Sequence, residues 1–138
     1  MVKTIDMQDM RYLNLFEKIT QVRTRICLKY NETIIFCVPQ QLIPKAVGKN
    51  GRNIKRISEI IGKKIKIIPG PNGILDSKNF IYDIINPIGF KDLEIKDNEI
   101  IINAGIQNKA ALIGRNKRRL LELQRITKDF FEKELKII

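Results

Sequence analysis

The chain has 138 residues, 43% of them hydrophobic, with 26 Lys and Arg against 15 Asp and Glu for a formal net charge of +11. That hydrophobic share supports one ordinary domain or two small ones and excludes general disorder, while no apolar run approaches the roughly 18 residues of a membrane span. Histidine is absent, which removes the commonest general base and metal ligand, and the excess positive charge points to a polyanionic partner.

The N-terminal stretch MVKTIDMQDM is polar and lacks the apolar core of a signal peptide, so a cytoplasmic, soluble protein without a membrane partner is expected. From Asp6 to Val22, Tyr12, Leu15, Phe16 and Ile19 recur at helical spacing behind the acidic cap candidates Asp6 and Asp9. RICLKY and TIIFCV then alternate or run apolar around a polar Asn31-Glu32 turn, the pattern of a hairpin. Cys27 and Cys37 fall within these strands without the spacing of a zinc site or redox pair and read as core residues. A hairpin could set them face to face, which leaves a cross-link open.

Pro39 closes the second strand, and Pro44 suits the first turn of a short helix ending near Val47. GKNG, residues 48–51, interrupts it. Ile54, Ile57, Ile60 and Ile61 resume helical spacing until Gly62 stops them, and KIKII forms a last strand. PGPNG, residues 69–73, reads as a junction. Beyond it come a helix SKNFIYDII halted before Pro87, a hairpin of FKDLEIK and EIIINA around Asp97 and Asn98, and a short helix QNKAALI. The loop GRNK, residues 114–117, a longer helix RRLLELQRITKDFF and a final LKII complete the chain.

The two halves repeat one another. Sliding the chain by 66 residues sets Ile34 on Ile100, Ile35 on Ile101, Gln41 on Gln107, Val47 on Ile113, Gly48 on Gly114, Asn50 on Asn116, Arg52 on Arg118 and Ile57 on Leu123. Gly48 to Ile65 is 17 positions and Gly114 to Leu135 is 21, so the second copy carries about one extra helical turn. Charge is unequal between them: residues 1–70 hold 14 Lys and Arg against 5 Asp and Glu, a net +9, and residues 71–138 hold 12 against 10, a net +2. A lysine-rich solvated surface is the plain alternative to a nucleic-acid partner for this charge.

Gly48 and Gly51 permit backbone angles closed to other residues and leave no side chain between main chain and ligand. The following helix would present its N–H groups and positive dipole end to the same spot, with Lys49, Arg52, Lys55 and Arg56 adding cationic reach.

Alone, G-x-x-G is a common turn. A strand ending in VP, a short helix ending AVGKNG, then IKRI and GKKIKI together resemble the KH domain, whose G-x-x-G loop clamps about four nucleotides of single-stranded nucleic acid. The helix placed before the hairpin resembles the type II arrangement. Two such units resemble the archaeal NusA-like proteins, factors of transcription termination or antitermination. The resemblance implies an α+β fold of two tandem type II KH domains, residues 1–70 and 74–138, each a three-stranded sheet with helices packed on one face. It also implies single-stranded RNA as partner, RNA polymerase as a further partner, a monomer, and no catalytic residue, metal or cofactor.

Carried onto this chain, the resemblance makes Gly48, Lys49, Asn50 and Gly51 the backbone clamp, with Ile43, Val47, Ile54 and Ile67 as an apolar groove for bases. Plain core packing is the competing account of those four aliphatics. In the second unit Gly114, Arg115, Asn116, Lys117 and Arg118 occupy the corresponding places, but Lys117 replaces the second glycine. Either this copy is degenerate and structural, since lysine at positive φ costs energy, or Arg115, Lys117, Arg118 and Arg119 replace close backbone approach with ion pairs to phosphate. All nine Phe and Tyr lie away from both loops, and Tyr12, Phe16, Phe36, Phe80, Phe130 and Phe131 are expected in the core.

A KH-type role in ribosome assembly or RNA processing is the alternative function. A GTPase of that kind is excluded by the missing phosphate-loop motif. A protein–protein adaptor on a KH scaffold is a third possibility, because fold alone does not fix function.

Overall fold

The chain is described here by a computed structural model covering residues 6–138. It comprises two compact units that meet in sequence between Gly70 and Pro71. The polar stretch MVKTIDMQDM, read as lacking a signal-peptide core, lies partly outside the described residues.

The first unit opens with α1, Met7–Thr20. Asp6 is its N-cap, the carboxylate accepting from the Asp9 N–H at 2.7 Å and so satisfying an amide that the helix leaves without an internal partner. The helix ends two residues short of the expected Val22. Gln21 turns left-handed at φ +59°, and its N–H reaches Glu17 O at 2.8 Å. Thr20 Oγ1 donates to Phe16 O at 2.7 Å and accepts from the Val22 N–H at 3.0 Å, so one hydroxyl closes the helix and directs Val22 into the core.

β1, Ile26–Tyr30, and β2, Thr33–Val38, pair antiparallel around Asn31 and Glu32, both at positive φ. A two-residue turn of that hand matches the natural strand twist. α2, Ile43–Val47, carries Pro44 in its first turn. α3, Arg52–Ile61, stops at Gly62 at φ +78°, and β3, Lys64–Pro69, returns parallel to β2, which is the middle strand.

The second unit repeats this order: α4, Ser77–Ile85; β4, Asp92–Ile95; β5, Glu99–Asn103; α5, Ile106–Ile113; α6, Arg118–Phe131; and β6, Glu134–Ile137. Its sheet has the order β4-β5-β6 with β5 central. α6 has 14 residues against 10 in α3, the extra turn that the spacing predicts. Despite that insertion the strand register is kept: Ile34 pairs with Ile65 and Phe36 with Ile67, while Ile100 pairs with Leu135 and Ile102 with Ile137. A whole extra turn of helix returns the chain to the same angular position, so the following strand enters unshifted.

Core positions coincide as well. Ile34, Phe36, Val38, Ala46 and Ile57 are buried, and so are Ile100, Ile102, Ala104, Leu112 and Leu123 at the 66-residue offset. In the first unit Phe16 stacks on Phe36 with centroids 4.4 Å apart. In the second, Phe80 meets Phe130 at 5.0 Å and Phe131 at 5.9 Å. Fully burying one such ring stabilises by about 1.5–3 kcal/mol. Phe16, Phe36, Phe80 and Phe130 are buried, Tyr12 packs on the first core and Phe131 on Phe80, as expected, whereas Tyr82 is exposed.

Both cysteines are buried, as the core assignment requires, but the face-to-face placement does not occur. Cys27 pairs with Phe36 and Cys37 with Ile26. The one-residue offset sends the two side chains to opposite faces of the sheet, because strand side chains alternate.

Candidate nucleic-acid interface

Residues 48–51 form a single turn between α2 and α3. The Gly48 N–H closes α2 on Pro44 O at 3.0 Å, and the chain then leaves helical geometry at φ +79°, ψ 167°. Lys49–Gly51 make a 3-10 turn in which the Gly51 N–H donates to Gly48 O at 3.1 Å. Asn50 and Gly51 both lie in the left-handed region, at φ +57° and +71°. Asparagine tolerates that region better than most residues, which suits it to the third place.

The two glycines serve different ends. A Cβ at Gly48 would come within 3.0 Å of the Asn53 side chain and 3.2 Å of its backbone nitrogen. A Cβ at Gly51 would meet nothing within 4 Å. Gly48 is therefore required by its neighbours and its conformation, whereas Gly51 is required by conformation and leaves the outer face of the turn open.

α3 starts at this open face with no side-chain cap. Arg52, Lys55 and Arg56 are exposed and, at spacings of three and four, share one side of its first turns. Lys49 and Lys45 are exposed nearby in sequence. Among the described residues none of these five cations is ion-paired. Ion pairs elsewhere include Arg23–Glu17 and Lys63–Glu32 at 3.9 Å, Lys78–Asp92 at 3.3 Å, and Lys128–Glu134 at 3.1 Å. The Leu93 N–H, and then Lys78, hold the Asp92 carboxyl below the usual aspartate value.

The four aliphatics expected in the groove are all half-buried. Ile43 and Ile67 pack against the core cluster around Phe16 and Phe36, while Val47 and Ile54 are not among the residues packed on it.

The second loop follows the same path. Gly114 has φ +77°, ψ 174°, Asn116 has φ +55°, and Lys117 has φ +60°, ψ 22°. The Lys117 N–H donates to Gly114 O at 3.2 Å, and α6 also begins without a side-chain cap. Lysine has not remodelled the turn; it occupies the glycine conformation. Arg115, Asn116, Lys117 and Arg118 are exposed. Arg119 is not in that group: it is half-buried and donates to Ala111 O at 3.0 Å, so it turns toward α5.

No group of three or more His, Cys, Asp or Glu residues able to hold a metal is present among the described residues, and no helix there is long and apolar enough to cross a membrane.

The family model for the KH domain matches residues 33–82, from β2 through the first loop, α3 and β3 into α4. The chain is similar to three archaeal proteins named Probable transcription termination protein NusA. That of Methanococcus vannielii is 31% identical over 114 residues, covering 80% of this chain and 64% of the relative. That of Methanocaldococcus jannaschii is 33% identical over 89 residues, covering 64% and 47%. That of Thermoplasma acidophilum is 26% identical over 106 residues, covering 75% and 72%. The chain thus spans between about half and two thirds of the length of the first two relatives. The solved structure of APE1850 shares the fold, with a TM-score of 0.70 over 97% of this chain and 99% of that one at 22% identity. With two α+β units of one topology, a KH match over the first loop and NusA relatives along most of its length, the chain carries a KH domain and is similar to the archaeal NusA-like proteins.

Proposed function

We propose that this chain is a non-catalytic protein that binds single-stranded RNA through the 48–51 loop and acts on nascent transcripts together with RNA polymerase. The observation that supports this most is the combination at the first loop: an uncapped α3 N-terminus, an open face at Gly51, and exposed unpaired cations at Lys49, Arg52, Lys55 and Arg56. In this reading backbone N–H groups and the dipole of α3 receive a phosphate, the cations hold its neighbours, and bases lie toward Ile43, Val47, Ile54 and Ile67. A role in transcription is suggested by the name the relatives carry.

The work is divided between a first KH domain, residues 1–70, and a second, residues 74–138. The first dominates because it holds the larger net charge and the complete glycine pair. The 114–118 loop plays the secondary part, with Arg115, Lys117 and Arg118 reaching phosphates by their side chains while Gly114 and Asn116 set the turn.

Fluorescence anisotropy with a random single-stranded RNA pool and matched duplex, over a salt series, tests the RNA reading. Preference for single strands that collapses in Gly51→Asp supports it. Equal binding to both forms, insensitive to the substitution, refutes it and leaves only a generic charge effect. Retention of the archaeal polymerase on the immobilised chain after nuclease treatment tests the second part.

A further inference from the structure

Asn53 Nδ2 donates to Lys45 O at 3.2 Å, and Arg119 Nη1 donates to Ala111 O at 3.0 Å. Donors and acceptors are both 66 positions apart, so the two repeats make one bond with different chemistry. Its origin lies in the turn. In each unit the first loop glycine closes the preceding helix, Gly48 on Pro44 O and Gly114 on Ala110 O, both at 3.0 Å. The backbone then swings out at that glycine, carrying the next N–H away from the next helix carbonyl, Lys45 O or Ala111 O. A helix ending this way leaves that acceptor without an amide. The second residue of the following helix supplies the donor, tying α2 to α3 and α5 to α6 across the loop.

The same side chain lies against the glycine. A Cβ at Gly48 would sit 3.0 Å from Asn53 Cγ, and one at Gly114 would sit 2.9 Å from Arg119 Cγ. The missing side chain of the first glycine is what lets the brace pass.

We propose that Asn53 and Arg119 are positioning residues, each holding its loop in the conformation that receives phosphate without itself contacting RNA. Arg119 spends its guanidinium on a helix carbonyl, where the C-terminal dipole of α5 favours a cation. The affinity part rests on the RNA-binding reading of the loops; the bracing part does not.

The test has two arms. In the free protein, hydrogen exchange is followed at the Gly51 and Lys117 amides, which donate across their turns, with the Phe36 and Ile102 amides as controls for global opening. Asn53→Ala should speed exchange at Gly51, and Arg119→Met at Lys117, by about fivefold, the loss of one typical hydrogen bond, with the control amides unchanged. Asn53→Arg and Arg119→Asn, which exchange the two solutions between repeats, should keep loop protection near wild type. Unchanged loop exchange in both truncations overturns the proposal. Should a truncation unfold its unit, the exchanged pair decides, and loss of loop protection in both of them overturns it equally.

In the second arm, RNA affinity should fall several-fold in Asn53→Ala and Arg119→Met while the slope of log affinity against log salt stays at the wild-type value. A slope reduced by about 0.7 in Arg119→Met identifies a lost phosphate contact and overturns the positioning role. A chain that binds no RNA sinks the proposed function, and the exchange arm still decides the brace.

Discussion

Gly51 and Lys117 occupy the same left-handed backbone conformation, φ +71°, ψ 21° and φ +60°, ψ 22°, at the fourth position of two loops 66 residues apart. One residue is suited to it and the other is strained. Left-handed backbone costs an ordinary L-residue roughly 1–2 kcal/mol, offset in glycine only by its greater unfolded-state entropy. Lys117→Gly is therefore expected to stabilise the second unit by about 0.5–1 kcal/mol, read as a higher urea midpoint at unchanged m-value. A midpoint that falls would show that the lysine side chain contributes more than its backbone strain costs.

The first glycine of the loop is the less replaceable one for folding. Gly48 combines φ +79°, ψ 167°, a region essentially reserved for glycine, with the 3.0 Å approach of Asn53, whereas Gly51 faces open space. Gly48→Ala should cost about 1–3 kcal/mol and Gly51→Ala clearly less, by chemical denaturation of each variant. Equal costs would count against the crowding at Gly48.

For binding, the ranking follows exposure and chemistry instead. Gly51→Asp puts a carboxylate where the loop is open, in a conformation that aspartate tolerates, so the fold survives while phosphate is repelled. Single-stranded RNA affinity should drop at least about tenfold, 1.4 kcal/mol, and Lys117→Asp should cost markedly less. Equal losses in anisotropy titrations would refute the dominance of the first unit.

Salt dependence offers a separate count of contacts. Each phosphate neutralised on a single strand adds about 0.7 to the slope of log affinity against log salt. Replacing Arg52, Lys55 or Arg56 singly by Gln should lower that slope by about this amount. Lys128→Gln, whose ammonium is already paired with Glu134 at 3.1 Å, should leave it unchanged. An unaltered slope in all three α3 variants would remove this face from the interface.

Core packing around Phe16 gives a further check on the repeat. Phe16 is fully buried and stacks on Phe36, so Phe16→Ala should destabilise the first unit by about 3–5 kcal/mol, measured by thermal or denaturant unfolding. A cost under about 1 kcal/mol would mean that α1 is not anchored by this ring.

By itself the sequence determined the element order, the repeat and the place of both loops, because each depends on short-range pattern. Apolar spacing of 3.6 or 2 marks helices and strands, glycine and proline punctuate them, and the four extra positions after Gly114 signal the longer α6. Tertiary structure decided what short-range pattern cannot carry. Register sent Cys27 and Cys37 to opposite faces, since an offset of one residue reverses a strand side chain. Thr20 ended α1 early through two hydrogen bonds that no spacing announces. Arg119, one more cation in a basic run, was withdrawn from the exposed set by a carbonyl eight residues back. Asn53 does the same in the first unit with a side chain of different size and charge, so only the folded loop, with its stranded acceptor, reveals that the two are equivalent.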